Sequence, residues 1–428
     1  MRKTVSILML LLGFVFFASV FLPQSVHAVP AFARQTGLAC SSCHFQHYPT
    51  LNAFGRAFKA GGYTMVGGQS LIEGDMLSLP SVLNASMVLK VMYQKTNGDE
   101  KTGTNMGALK FPDEAALLIG GRAGEHVGFL LEAGLTPGET EVNIPSPVDD
   151  SISVPETNLF TSFKMPFVYD LAGSKVSVIP FITDAAGAPY GFELLNTGAL
   201  RMSRTLEHRG DISAQQYVGT DGAAEGVAIV GYNSMGYINA TLWTPNHGEV
   251  AVNRPAYYVR VAATPTVSGW DVGGGIQYWT GKAGRDDDGG GDIETNALAI
   301  DAQAQGKVGA MPLGIYVTYA NAPESDTDME NLFNADTEGA INAISFVAEL
   351  GVLPNKATVA LGYRAGDTGA DDNNKDNALF LGATYQLVQN VQFQFNQSLY
   401  SGDFYDLAAN NEDDKGDQKT TLMLFTAF

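Results

Sequence analysis

The chain has only two cysteines in 428 residues, Cys40 and Cys43, so no disulfide framework holds it together. It is also short of charge, at 16%, and above all of positive charge: 25 Lys+Arg stand against 45 Asp+Glu, a net −20. That balance leaves no basic surface for a nucleic-acid backbone and excludes nucleic acid as a partner. With 45% hydrophobic residues the chain is too apolar for disorder. Beyond the first 22 residues no uninterrupted apolar run approaches 18 residues, the length a membrane-spanning helix needs. What is plentiful is glycine, at 48 residues, together with 17 Tyr and 23 Phe, a composition that suits strands and turns better than helices.

Arg2 and Lys3 precede an apolar stretch from Val5 to Leu22, and Val26-His27-Ala28 offers small residues at −3 and −1 of a cleavage point. Residues 1–28 therefore read as a cleaved signal peptide, with an uncleaved anchor helix as the alternative. Loss of Arg2 and Lys3 takes the net charge from −20 to −22.

The two cysteines then occur together, as Cys40-Ser41-Ser42-Cys43-His44, the spacing of c-type haem attachment. Thiols three positions apart each add across one porphyrin vinyl group, and the adjacent imidazole reaches the iron. A CxxC redox dithiol is the alternative. The following histidine, the export signal and the lack of other cysteines favour one covalent haem c held by Cys40, Cys43 and His44. Pro49 and Thr50 open a short helix with Thr50 as its cap, Leu51, Phe54 and Phe58 on one face and Gly61 at its end. So short a helix needs an apolar cover, supplied by haem or by protein. No acidic residue occurs between Val29 and Ile72, so Arg34, Arg56 and Lys59 are candidates to pair with haem propionates, solvated charge being the alternative. For the sixth iron position the candidate is the Met65 thioether, beyond Gly61-Gly62, against ordinary packing of a methionine. His47, three residues after His44, is expected on the same helical face as His44. It then acts as a packing or supporting residue, and as a ligand only in a non-helical geometry.

From about residue 82 the sequence repeats segments of period-two alternation separated by turns. Val391, Phe393 and Phe395 alternate with Gln392, Gln394 and Asn396, for example. Sixteen such segments fit between 82–94 and 418–428, and their connections alternate long and short almost throughout. This is the pattern of an outer-membrane barrel, with long extracellular loops and tight periplasmic turns; a soluble sandwich shares the alternation but not the loop lengths. Residues 190–203 could pass for another strand, but that would invert every later connection, so 184–224 reads as one long third extracellular loop. The chain ends on Phe428 in a strand resembling the terminal signal of outer-membrane proteins. The expected architecture is all-β: a 16-stranded antiparallel porin-like barrel over 76–428, a helical haem segment over 29–75, and the signal peptide over 1–28.

The third loop concentrates Arg201, Arg204, His208 and Arg209 beside Glu193 and Glu207, a charge set suited to a lumen constriction or to solvent. Four later loops, 281–293, 321–340, 366–376 and 401–417, hold 20 of the 45 carboxylates and only four cations, a net −16. Asp286-Asp287-Asp288 and Asp326-x-Asp328 are the densest clusters, candidates for steering Fe²⁺ or Ca²⁺ through oxygen ligands; solvated loops bridged by divalent ions to lipopolysaccharide are the alternative.

The stretch FARQTGLACSSCHFQHYPTLNAFGRAFKAGGYTM, residues 32–65, resembles the fused monohaem cytochrome–porins of iron-oxidising bacteria, outer-membrane c-type cytochromes that oxidise Fe(II). The resemblance rests on the AC-x-x-CHFQH-x-P-x-LN-x-FGR-x-FK pattern. It implies that Cys40 and Cys43 hold the haem, that His44 ligates it and that the barrel houses it. The function expected is oxidation of extracellular Fe²⁺ in the outer membrane of a Gram-negative bacterium, with the electron passed to a periplasmic acceptor such as a soluble cytochrome c. Two alternatives are a haem-plugged passive porin for small solutes and a barrel-tethered thiol oxidoreductase.

Overall fold

The computed structural model describes residues 31–99, 101, 103–135, 138–142, 152–156, 161–198, 212–245, 254–284, 292–335, 338–405 and 416–428. Sixteen antiparallel strands close into a single barrel. In chain order they are β1 (Ala85–Thr96), β2 (Ala108–Arg122), β3 (Gly128–Gly134), β4 (Ser162–Lys164 with Phe167–Leu171), β5 (Ser174–Thr183), β6 (Ala224–Asn233), β7 (Gly236–Thr244) and β8 (Ala256–Ala263 with Thr266–Val267). There follow β9 (Trp270–Thr280), β10 (Ala297–Val308), β11 (Met311–Ala322), β12 (Ile341–Leu353), β13 (Ala357–Asp367), β14 (Lys375–Val388), β15 (Val391–Ser401) and β16 (Gln418–Ala427). β4 and β8 are interrupted where Pro166 and Pro265 fall in the ladder, since proline has no N–H to give a neighbouring strand. The ring closes between β16 and β1, with Leu422 opposite Tyr93, and Met87 and Phe428 exchange both backbone hydrogen bonds (2.7 and 3.0 Å).

The strand count and parity are those the sequence predicts, and the described part of 190–203 forms no strand. One end of the barrel carries tight turns. Ala172-Gly173 and Ser268-Gly269 both have positive φ at the two central positions (51° and 81° in each), the backbone twist that a two-residue hairpin requires.

The barrel is apolar outside and polar inside. Along Ala256–Ala263, Tyr257, Val259 and Val261 are exposed while Tyr258 and Arg260 are fully buried. Asn239, Gln277, Asp301 and Gln394 likewise point inward, against Ile238, Ile276 and Ile300 outward. Such inversion is stable only when the outer face meets lipid. Among the described residues no helix is long and apolar enough to cross a membrane; the strands do so.

The lumen is filled from both ends. At the long-loop end Trp243, Tyr258 and Trp279 pack with Ala283, Ile293 and Phe333, which arrive on the loops after β9 and β11. Those loops are tied by Glu294 N–H to Glu330 C=O (2.9 Å) and Leu332 N–H to Glu294 C=O (2.8 Å). The described parts of the third loop, after β5, fold inward: Thr197 Oγ1 donates to Asp301 (2.7 Å) and Asn196 N–H to Gln303 (2.7 Å), both on β10. Arg201, Arg204, Glu207, His208 and Arg209 lie outside the described residues. At the tight-turn end sits the N-terminal segment.

Candidate functional site

The N-terminal segment carries three short helices, α1 (Ala31–Thr36), α2 (Cys40–Cys43) and α3 (Ala53–Ala60). Too few residues are present to bury a core of their own, so the segment relies on the barrel. Gln35, buried on α1, shows how. Its amide Nε2 donates to the C=O of Tyr63 (2.6 Å) and Met65 (2.7 Å), and its Oε1 accepts from Asn84 Nδ2 and Arg122 N–H (both 3.2 Å). Phe32 stacks on Tyr63 at 4.8 Å and meets the edge of Phe58 at 5.2 Å. Gly62 lies so close to β4 that a Cβ there would come within 2.6 Å of Val168.

The CxxC segment is one helical turn, closed by His44 N–H donating to Cys40 C=O (2.9 Å). α3 crosses directly beneath it: a Cβ on Gly55 would sit 2.1 Å from the Cys43 carbonyl oxygen, so only glycine permits the approach. Both cysteines are free thiols, Cys40 exposed and Cys43 half-buried. Burial nevertheless raises both thiol pKa values, and for Cys43 the neighbouring Cys40 adds to the rise. Ala53, Phe54 and Ala57 of α3 are exposed, while Arg56, Phe58 and Ala60 are buried.

Four contacts seat this segment on the inner wall and on the third loop. Arg56 Nη2 reaches both carboxylate oxygens of Asp271 on β9 at 2.5 Å. Lys59 Nζ donates to the Glu193 C=O (2.5 Å), and Asn196 pairs with both the N–H and the C=O of Leu51 (2.8 and 3.1 Å). His47 Nε2 lies 2.6 Å from Glu349 Oε1 on β12, with Nδ1 2.8 Å from the Tyr48 C=O.

Neither a known sequence family nor a characterised relative matches the chain. Solved structures do. Salmonella typhi OmpF in complex with daunomycin is 13% identical over 84% of this chain and 100% of that one, with a TM-score of 0.46. Pseudomonas aeruginosa OccK10 (OpdN) is 10% identical over 81% and 99%, TM-score 0.45. A porin refined at 1.8 Å resolution is 14% identical over 81% and 100%, TM-score 0.44.

Against the sequence expectations, the helix cap moves. It is Asn52, not Thr50, whose side chain accepts from Gly55 N–H (2.9 Å). Residues 44–51 are instead a closed loop, with His44 opposite Leu51 and Phe45 N–H bonded to the Thr50 C=O. Leu51 thus precedes the helix, and Phe54 and Phe58 part company: Phe58 packs on Phe32 and Tyr63, while Phe54 is 44% exposed. His47 does not share a helical face with His44, because Gln46 adopts a left-handed φ of 67° and turns it to the wall. Arg56 and Lys59 are engaged with the barrel and the third loop rather than left for an anionic ligand alone. A buried guanidinium must be paired, and Asp271 was the partner in reach. Arg56 Nη1, however, is buried with no hydrogen-bond partner among the described residues.

Met65 is 36% exposed, with its C=O pinned by Gln35, and Arg34 is half-buried. Asp326 and Asp328 are exposed on the loop after β11; Asp286, Asp287 and Asp288 lie outside the described residues. No group of three or more His, Cys, Asp or Glu arranged to hold a metal ion occurs among the described residues. Sequence reasoning missed Asp271, Glu349 and Asn196, since only the register of strands and the course of the third loop bring them to the N-terminal segment.

Proposed function

We propose that the chain is an outer-membrane c-type cytochrome built into a porin-like barrel, taking electrons from extracellular Fe²⁺ and handing them to a periplasmic acceptor such as a soluble cytochrome c. The observation that carries this reading is the CxxC turn itself: two free thiols on one helical turn, followed by histidine, in a segment pinned to the barrel. Cys40 and Cys43 would hold the haem and His44 would ligate it. The unpartnered Nη1 of Arg56 fits one haem carboxylate. When bound, haem c supplies a one-electron couple. The protein's own part is to keep the plug seated through Arg56–Asp271 and His47–Glu349, to exclude solvent with Trp243, Trp279 and Phe333, and to gather cations at the loop rim.

A second reading is favoured by the barrel and its inward third loop, the elements of a solute filter: a haem-plugged passive porin for small solutes. An absorption spectrum of the purified protein before and after Fe²⁺ addition separates the two. Reduction of the haem supports the cytochrome reading; a haem that Fe²⁺ never reduces near neutral pH, in a protein that conducts ions in planar bilayers, establishes the porin.

If the acidic loops collect Fe²⁺, changing Asp286, Asp287, Asp288, Asp326 and Asp328 to Asn slows haem reduction by Fe²⁺ several-fold at low salt. The effect should vanish at high salt, because screening acts over about 8 Å at physiological ionic strength. A neutral reductant should be indifferent throughout; equal slowing of both reductants would remove the steering role. For the sixth iron position, Met65→Ala should lower the reduction potential and change the visible spectrum, because thioether ligation raises the potential. An unchanged spectrum excludes Met65.

A further inference from the structure

We propose that Glu349 of β12 and Phe425 of β16 are positioning residues for His44, so that the barrel wall rather than the plug fixes the orientation of that imidazole; the proposal rests on the haem reading above. The loop from His44 to Leu51 has little to hold it internally. Phe45 N–H bonds to the Thr50 C=O and His47 N–H to the Phe45 C=O, both at 2.8 Å. At its tip Gln46 adopts φ 67°, a left-handed conformation that is unfavourable for a residue with a Cβ and persists only where the surroundings over-determine it.

The surroundings here are two strands far along the chain. Gln46 Nε2 donates to the Glu349 C=O (3.1 Å), His47 Nε2 lies 2.6 Å from Glu349 Oε1, and Thr358 Oγ1 donates to the same oxygen (2.7 Å). With one ring nitrogen of His47 facing a carbonyl and the other a carboxylate, the ring orientation is fixed at both ends. Next in sequence, Tyr48 stacks on Phe425 (centroids 5.8 Å apart, planes 11° apart), and the His44 ring meets Tyr48 edge-on at 5.3 Å and 64°. Two lines thus lead from His44 to the wall, one along the chain through Gln46 and His47 to Glu349, the other by ring contact through Tyr48 to Phe425. Groups that orient a ligating histidine tune the metal it holds.

The test uses full-length, haem-loaded protein in detergent, with Glu349→Leu, Glu349→Gln and Phe425→Leu variants. Three things are measured: covalent haem after denaturing electrophoresis, the electron paramagnetic resonance signal of the oxidised haem, and its reduction potential. Both Leu variants should keep covalent haem, since the thioethers are untouched, while the potential shifts and the resonance signal broadens or splits. Glu349→Gln, whose Oε1 still accepts from His47, should recover the parental signal. Phe425→Leu buries no new charge and carries the test alone should Glu349→Leu fail to assemble. Parental potential and signal in the Leu variants, with haem attached, overturn the proposal and leave the haem reading standing. A Gln variant as altered as the Leu variant overturns the part assigned to Glu349. Absence of covalent haem from the parent protein is a separate result, and it overturns the haem reading together with this proposal.

Discussion

Replacing Cys40 and Cys43 together by serine is expected to abolish covalent haem completely while leaving a folded barrel in the membrane. A hydroxyl cannot form the thioether, so haem staining after denaturing electrophoresis should fall to background. The fold should survive because neither thiol contributes to seating the plug. That task belongs to Gln35, His47 and Arg56, whose partners lie on the barrel, and to Asn196 of the third loop, which holds Leu51. Serine suits the turn sterically, and Cys40 is exposed in any case. The barrel, closed by backbone hydrogen bonds between β16 and β1, should keep its heat-dependent shift in electrophoretic mobility. Haem staining retained in the double variant would sink the assignment of these cysteines. Loss of the mobility shift would mean instead that the haem segment is needed to assemble the barrel.

The barrel was legible in the sequence because its two signals are local. Alternation within each strand and the lengths of successive connections are both read without knowing which residues meet across the lumen, and they gave the strand count and its parity. Even the prolines at 166 and 265, which interrupt ladders, did not hide the strands containing them. The CxxCH motif was equally local. What failed was the geometry between His44 and Ala60, where helical periodicity was assumed to begin at Thr50. The loop there is fixed by Glu349, Phe425 and Asn196, residues between about 145 and 380 positions away, and no local signal reports them. A carboxylate at an inward position of a strand, such as Asp271 or Glu349, was the available hint. It marks an unmet charge in the lumen, and the cationic N-terminal segment, free of acids from Val29 to Ile72, was its natural complement.

The same reasoning makes Arg260 a sensitive position of the barrel interior. Its guanidinium is fully buried, pairing with Asp301 at 2.5 and 2.9 Å and standing 3.1 Å from Glu193, the residue that carries the third loop into the lumen. Glu193 is held in addition by Tyr237 O–H and by Leu195 N–H, so one cation serves two buried carboxylates. Arg260→Met leaves both without it, and breaking a buried pair from one side costs about 3–5 kcal/mol. The expected result is a marked drop in the temperature at which the folded band is lost on electrophoresis. The third loop should also loosen at Glu193, while Thr197–Asp301 and Asn196–Gln303 still hold it to β10, read as a modest rise in ion conductance through planar bilayers. Adding Glu193→Gln and Asp301→Asn to Arg260→Met removes the stranded charges, and the triple variant should regain most of the lost stability, because uncharged replacements of buried ion networks are often close to neutral. It should not regain the parental conductance, since the link from Arg260 on β8 to Glu193 is still missing. A single variant as stable as the parent would show that the network is not what anchors the loop. A triple variant no better than the single would place the cost in lost packing around the Arg260 side chain instead of in unpaired charge.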